Sequence, residues 1–423
     1  MRILAIETSC DETAIVLVEA KGRLPAGRQG LNPSAGSGPR FKILKNLVAS
    51  QVKIHRPYGG VVPSLAKREH LKNLPILFQK IFPAEKFFNN IDLIAVTVGP
   101  GLEPALWTGI NFAKEIYKRL KIKNKKLKII GISHLEGHLY SNFLEPKTYN
   151  LKPETLFPAV ALLVSGGHTI LLLMKDMVHY KKLGETRDDA VGECFDKVAR
   201  LLNLPYPGGP EIEKIAKSGS STSIDFPRPM INQKNYDFSF SGLKTAVLYY
   251  LKNSEANIFS PKPAQASPVN STKLSYGASG HGVRAERGRA SRGTSELASL
   301  GRAISALSGK DLASNVAASF QTAAFDVLIS KTLRAVQEFK AKSILISGGV
   351  ASNKILQKQF KSEIENCLPA EASAQAGKLK INFLVPLKNF CTDNAVMIAA
   401  AGYLNYLKRK KRQLIAQGNL SLN

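Results

Sequence analysis

Two histidines four residues apart, His134 and His138 in GISHLEGHLYSNF, are the first residues here whose spacing suits chemistry. On a helix they share one face. Two imidazoles on one face can hold a metal when a third ligand arrives from elsewhere. The same pair also serves as ordinary core or surface histidines, and spacing alone does not separate the two. Asp393, in CTDNA at the start of a long helical run, is a candidate third ligand. Ser133 and Glu136 read as a capping box that starts the helix at His134. This is not the HExxH signature, in which a glutamate directly after the first histidine acts as general base. Leu135 stands at that position, which disfavours a metallopeptidase.

Three short turns carry a second kind of chemistry: SCDET (9–13), SGGH (165–168) and SGG (347–349). Adjacent glycines let backbone N–H groups approach phosphate oxygens. A helix opening after SGGVASN adds partial positive charge. Any one of these is an ordinary turn; three in corresponding places point to a nucleotide or acyl-phosphate ligand. Asp11 and Glu12 put carboxylates beside that ligand, suited to a cation or to accepting a proton, although aspartate is also a common turn former. Asp196 and Lys197, on the helix of GECFDKVARLL, are either ligand contacts or an exposed polar face. PYPGGPEIE (205–213) could lay backbone against a flat ligand, or simply start a helix.

The elements that must position these residues alternate. Strands are expected over 2–8, 14–20, 41–48, 93–97 and 127–131, with helices near 62–82, 104–120 and 134–144. The theme then restarts with strands at 159–165 and 169–174, helices near 190–202, 211–218 and 311–340, a strand at 343–347, a helix after GGVASN, a strand at 383–386 and a helix over 393–408. Two αβ halves, each opening with a β-hairpin, imply an α/β fold with a ligand cleft between them. Three stretches, 21–40, 254–310 and 368–378, are rich in small and polar residues and read as inserted, mostly disordered loops.

With 423 residues and 44% hydrophobic content, the chain has enough apolar material for two or three domains. No secretory signal is visible at the start, and no apolar run approaches the ~20 residues of a membrane span, that at 157–164 being strand-sized. Four dispersed cysteines without a CxxC pair argue against a disulfide framework or a zinc finger and suit a reducing compartment. The net charge is +27; the first two insertions carry +4 and +5 of it, leaving +18 on the remainder. Such a balance favours a polyanionic partner.

ILAIETSCDETA, HRPYGGVVPSLAKREH, GPGL, SHLEGH, LVSGGHT, FDKVARLL, YPGGP, FSFSGLKTA, ISGGVASN and CTDNA occur in this order. Together they resemble the tRNA N6-adenosine threonylcarbamoyltransferase family, called TsaD in bacteria, with counterparts in the KEOPS complex. The resemblance covers nearly all of the chain outside the insertions. It implies a two-lobed actin/Hsp70/sugar-kinase-like (ASKHA) fold, with one lobe over 1–150, a second over 151–423 and the final helix returning to the first lobe. It implies transfer of threonylcarbamoyl from threonylcarbamoyl-AMP to N6 of the adenosine 3′ of the anticodon, in tRNAs reading ANN codons. His134, His138 and Asp393 match the family's metal ligands, the metal being Fe(2+), or Zn(2+) in some members. Val164, Ser165, Gly166, Gly167, His168, Asp196, Gly209 and Asn353 match its substrate contacts, and Glu213 stands where an aspartate is usual. Asp11 or Glu12 would take the N6 proton. The resemblance further implies the tRNA anticodon stem-loop as partner, a TsaB-like paralogue and a TsaE-like ATPase, a cytoplasmic location and no membrane. The competing readings are a glycoprotease-like metallopeptidase, a small-molecule kinase of the same fold, and a nucleotide-binding scaffold. Ser64 and the segment GLEPALWTG depart from the family pattern, away from the metal triad.

Overall fold

Consecutive apolar residues, as in ILAI near the start of the chain, are satisfied by a strand buried on both faces. In Arg2–Glu7 (β1), Ile3 and Ala5 enter one core while Leu4 and Ile6 enter another. β1 pairs antiparallel with Glu12–Lys21 (β2), which pairs antiparallel with Arg40–Ser50 (β3). On its other side Leu93–Gly99 (β4) runs parallel, followed by Lys128–Ser133 (β5), also parallel. The sheet order is β3-β2-β1-β4-β5. The structure, a computed structural model, describes residues 1–22, 38–83, 90–144, 153–259, 309–367 and 381–422.

The second sheet repeats the first. Ala159–Val164 (β6), Thr169–Met174 (β7) and Tyr180–Glu185 (β8) form an antiparallel meander, and Ser343–Ser347 (β9) and Asn382–Leu384 (β10) add in parallel beyond β6. Its order, β10-β9-β6-β7-β8, is the first order read from the other edge. The duplication expected from the two restarting hairpins is therefore present strand for strand, and it defines a two-lobed α/β molecule. β8 was not expected: YKKLGE is largely unburied along its length and carries no apolar run.

Helices of eight residues or more are α1 (Pro63–Ile81), α2 (Glu103–Lys121), α3 (His134–Ser141), α4 (Val191–Leu201), α5 (Gly208–Ala216), α6 (Ser241–Phe259), α7 (Gly309–Glu338), α8 (Lys354–Cys367) and α9 (Ala395–Leu407). α1 and α2 cover the outer face of the first sheet, and α4 to α7 contribute to the core on the outer face of the second. Between the sheets lies a shared core built from α3, α9 and the inner residues of both, including Ala159, Ala161 and Leu163. α9 packs on α3, β1 and β2.

The stretch Asp311–Glu338 of α7 is long and apolar enough to cross a membrane, which the run-length expectation above missed; it is 72% buried in the molecule, as a core helix is. Most of the expected insertions lies outside the described residues. Their edges do not: Lys21 pairs with Arg40 across the β2–β3 ladder. The expected loop start at 254 falls inside α6, which continues to Phe259.

Candidate metal centre and interlobe cleft

α3 begins where β5 ends, at the carboxyl edge of the first sheet, and all eight of its residues are buried. The helix starts at His134 as expected, but not through a capping box. Ser133 Oγ has no hydrogen-bond partner, and Glu136 turns away to Lys410, Arg412, Asn405 and Tyr180. A buried carboxylate reached by two cations has more to gain there than at one backbone N–H. Gly137, between the histidines, permits the approach of α9: a Cβ there would lie 2.9 Å from Ile398 Cδ1. At the head of α9, Asn394 Oδ1 accepts from Met397 N. That cap fixes the residue before it, Asp393, opposite α3.

The result is a compact cluster. Asp393 Oδ1 lies 3.4 Å from His134 Nε2 and 3.1 Å from His138 Nε2. One ligand atom from each residue falls within 4.8 Å of the others. His134 Nδ1 faces Glu7 Oε2 at 3.2 Å and Ser9 Oγ at 3.1 Å. Glu7 is held in turn by Ser9 N and Thr97 Oγ1, both at 2.5 Å. A carboxylate on Nδ1 sets the tautomer that leaves Nε2 free as a ligand.

The donor set fits a metal ion. His138 Nε2 is buried beside Asp393 yet lacks hydrogen-bond alignment, and its Nδ1 has no partner. Buried polar atoms left in that state are satisfied by something outside the protein. Without an ion, the charges compensate each other. Burial works against protonated His134, but Asp393 and Glu7 outweigh it and hold its pKa well up. Burial also disfavours the two carboxylates, and His134 more than offsets this, drawing both below the ordinary range. His138 is pushed down by burial, its neighbour's charge adding to the effect.

His134 and Asp393 open onto a cavity of about 400 Å³ between the lobes. The first lobe contributes Ser9–Glu12 and Pro100–Leu102; the second contributes Ser165–His168, Asp196, Gly209, Glu213 and Asn353. The three turns singled out in the sequence thus meet on one cavity. Gly166 and Gly167 have open space where a Cβ would sit. Gly348, in contrast, is required by the fold: its φ is +91°, and a Cβ would lie 2.2 Å from Val164 O. Val164 itself is buried behind the wall, and His138 lies behind His134.

Several wall residues have defined local duties. Asp196 Oδ1 accepts from Gly208 N at 2.7 Å, pinning the start of α5, and burial raises its pKa despite that bond. Lys197 pairs instead with Asp189 and Glu193, so it is not a wall residue. Glu213 Oε1 accepts from Lys354 N at 2.9 Å. Asn353 Oδ1 accepts from Ile355 N and Leu356 N, capping α8, while its Nδ2 donates to Gln321. The helix expected after GGVASN starts there, at Lys354, behind a 3-10 turn over Gly349–Ser352. His168 is pushed down to about 4 by burial and the nearby histidines, so it is neutral at neutral pH. Glu12 is raised by burial and by Asp11.

Sequence reasoning missed Glu7, Thr97 and Phe195, while Ser9 and Tyr206 lie inside the singled-out segments 9–13 and 205–213. The signal for Glu7 was available: an acid closing an otherwise apolar strand.

The duplicated sheets and the interlobe cleft place this chain in the actin/Hsp70/sugar-kinase class of two-lobed α/β proteins. A family model described as tRNA N6-adenosine threonylcarbamoyltransferase (TsaD) matches residues 42–400. A protein of that name from Thermosipho melanesiensis is 40% identical over 424 residues, covering all of both chains. One from Moorella thermoacetica is 40% identical over 408 residues, covering 96% of this chain and 92% of its own. Among solved structures, HypF from T. kodakarensis covers 97% of this chain and 48% of its own, at 13% identity and a TM-score of 0.48. The chain belongs to the tRNA N6-adenosine threonylcarbamoyltransferase family.

Proposed function

We propose that the chain transfers a threonylcarbamoyl group from threonylcarbamoyl-AMP to N6 of the adenosine 3′ of the anticodon, in tRNAs reading ANN codons. The observation that carries this reading is the convergence of glycine turns from both lobes on one cavity floored by His134 and Asp393. The bond from the carbamoyl carbon to N6 forms, its bond to the phosphate oxygen breaks, and N6 loses a proton.

His134, His138 and Asp393 would hold one divalent metal, which when bound would supply a positive charge beside the reacting carbonyl and the departing phosphate. Two histidines and one carboxylate with open positions suit Fe(2+), and the same set also suits Zn(2+). Gly166 and Gly167 line the cavity, where their backbone N–H groups would donate to developing negative charge. Adenine N6 is a weak nucleophile, so orientation between the walls should supply much of the rate. Asp11 or Glu12 would take the N6 proton; burial, with Asp11 beside it, raises the Glu12 pKa.

The tRNA anticodon stem-loop would be held through its phosphates by the basic surface. A TsaB-like paralogue would dock on α1 and α2, where Leu71 is 57% and Trp107 37% exposed. A TsaE-like ATPase completes the partner set, and four dispersed cysteines without a CxxC pair suit a cytoplasmic location. Lobes over 1–150 and 151–423 are proposed because β1 to β5 precede that boundary and β6 to β10 follow it.

The test is reconstitution. Unmodified ANN-decoding tRNA, threonylcarbamoyl-AMP and the partners are incubated with wild type and His134→Ala, and nucleosides are read by mass spectrometry. Threonylcarbamoyladenosine with wild type and at least a hundredfold less with the variant is expected. Equal product from both would remove the metal centre from the reaction.

A further inference from the structure

HRPYGG, FDKVARLL and PYPGG meet at one place, where each lobe puts an arginine on the other's backbone. Arg56, in the turn after β3, donates from Nε to Tyr206 O at 2.9 Å. Arg200, in α4 of the second lobe, donates from Nη2 to Gly59 O, three residues beyond Arg56. Gly59 holds the conformation needed, with φ at +66°, and a Cβ there would lie 3.4 Å from Arg200 Nε. Two reciprocal contacts across a cleft resist both opening and sliding.

The contacts reach the cavity from both sides. Tyr206 is part of its wall, and so is Val52, four residues before Arg56. The crossing turn is also braced onto the carboxylate turn. Gln51 N donates to Asp11 O at 2.9 Å, Gln51 Oε1 and His55 Nε2 are 3.1 Å apart, and Val62 N donates to His55 Nδ1 at 3.3 Å. On the other lobe, Arg200 lies one turn beyond Asp196 and lowers its pKa against the larger effect of burial. Both arginines are exposed. Each contact therefore adds a modest bias rather than a weld, which suits reversible closure.

We propose that Arg56 and Arg200 form a reciprocal latch that holds the lobes closed over a bound nucleotide and positions Tyr206 against the Asp11 turn. The ligand part rests on the function proposed above. Both arginines are positioning residues: the one acts through Tyr206, the other through Gly59.

Hydrogen–deuterium exchange of the full-length protein tests the latch without any ligand. In Arg56→Ala and in Arg200→Ala, segments 56–62 and 204–210 should exchange about tenfold faster, while peptides of β6 and α4 keep wild-type protection. Arg56→Lys retains a cation and a donor and should keep most of the protection. A double variant exchanging like wild type in both segments overturns the latch. Stopped-flow release of AMP tests the ligand part: about tenfold faster release is expected in each alanine variant, and unchanged release alongside faster exchange overturns it. If wild type takes up no AMP, the nucleotide reading of the cleft falls, and the exchange result still decides the latch.

Discussion

Glu7 shows how a single buried charge organises this site. It closes β1 with no solvent exposure, and an isolated carboxylate there would carry a prohibitive desolvation cost. Ser9 N, Thr97 Oγ1 and His134 Nδ1 together satisfy it. It orients the imidazole of His134, in the candidate metal triad, and makes it more basic. Partners of this kind change metal affinity by about 10–100-fold when removed. Glu7→Gln keeps the shape and one acceptor but loses the charge. The variant should fold, and chelator competition should show metal affinity lowered by about 10–100-fold. Wild-type affinity would sink this role. The spacing of His134 and His138 marked a candidate without separating it from an ordinary core pair, and Asp393 joined it through the CTDNA motif; the structure brings the three together. Glu7 was less so, since its partner on Thr97 depends on β1 and β4 lying side by side, which spacing along the chain does not encode.

Elements were legible where the pattern was strong and lost where it was weak. β1, β6 and β9 are unbroken apolar runs buried on both faces, and all were expected. Among the described residues β8 ladders only with β7, and its sequence alternates too little to stand out; α6 begins at Ser241, inside FSFSGLKTA, whose glycine and serines hide a helix start. The instructive error is at α3. The residues Ser133 and Glu136 fit a capping box, but Glu136 is taken by the segment after α9. Lys410 Nζ and Arg412 Nη2 reach Glu136 Oε1 at 2.8 and 3.0 Å, and Asn405 Nδ2 reaches Oε2 at 2.8 Å. A long-range ion pair thus overrode a local motif. Burial alone would raise the Glu136 pKa, but Arg412 and Lys410 more than reverse this, to about 2. A folded-state pKa below the unfolded value gives stability that is complete above about pH 4.5 and is lost as pH falls toward 2. Over that span the anchor is worth about 3 kcal/mol. Glu136→Gln should lower stability at pH 7 by about 3 kcal/mol and flatten the loss of stability between pH 4.5 and 2. Denaturant titrations across that range measure both; a variant with the wild-type acid slope would show that Glu136 is not the group titrating.

At the scale of the molecule, duplication explains why the cleft exists at all. Each sheet ends its β-hairpin and its parallel strands at the same edge, and stacking the two copies about α3 and α9 turns those edges toward one another. The hairpin turns and strand ends then face a common space, which is where open α/β sheets hold ligands. That convergence could be anticipated from the repeat; the crossing arginines could not, because their partners are backbone carbonyls, which leave no trace in side-chain types. Charge is the other whole-molecule property. The chain carries +27, while the cavity wall contains the acids Asp11, Glu12, Asp196, Glu213 and Asp393. An acidic floor inside a basic exterior separates two tasks: the outside gathers a polyanion, and the inside does chemistry on a group that must leave the polyanion's surface to enter. If the exterior neutralises three tRNA phosphates, raising salt from 50 to 200 mM should weaken tRNA binding by about 40-fold, since affinity falls with nearly the third power of salt. AMP, held by short-range contacts in the cavity, should lose far less, about threefold at most. Filter binding for tRNA and equilibrium dialysis for AMP, run over the same salt series, compare the two. Parallel salt curves would mean that one set of charges serves both ligands and that the exterior has no separate role.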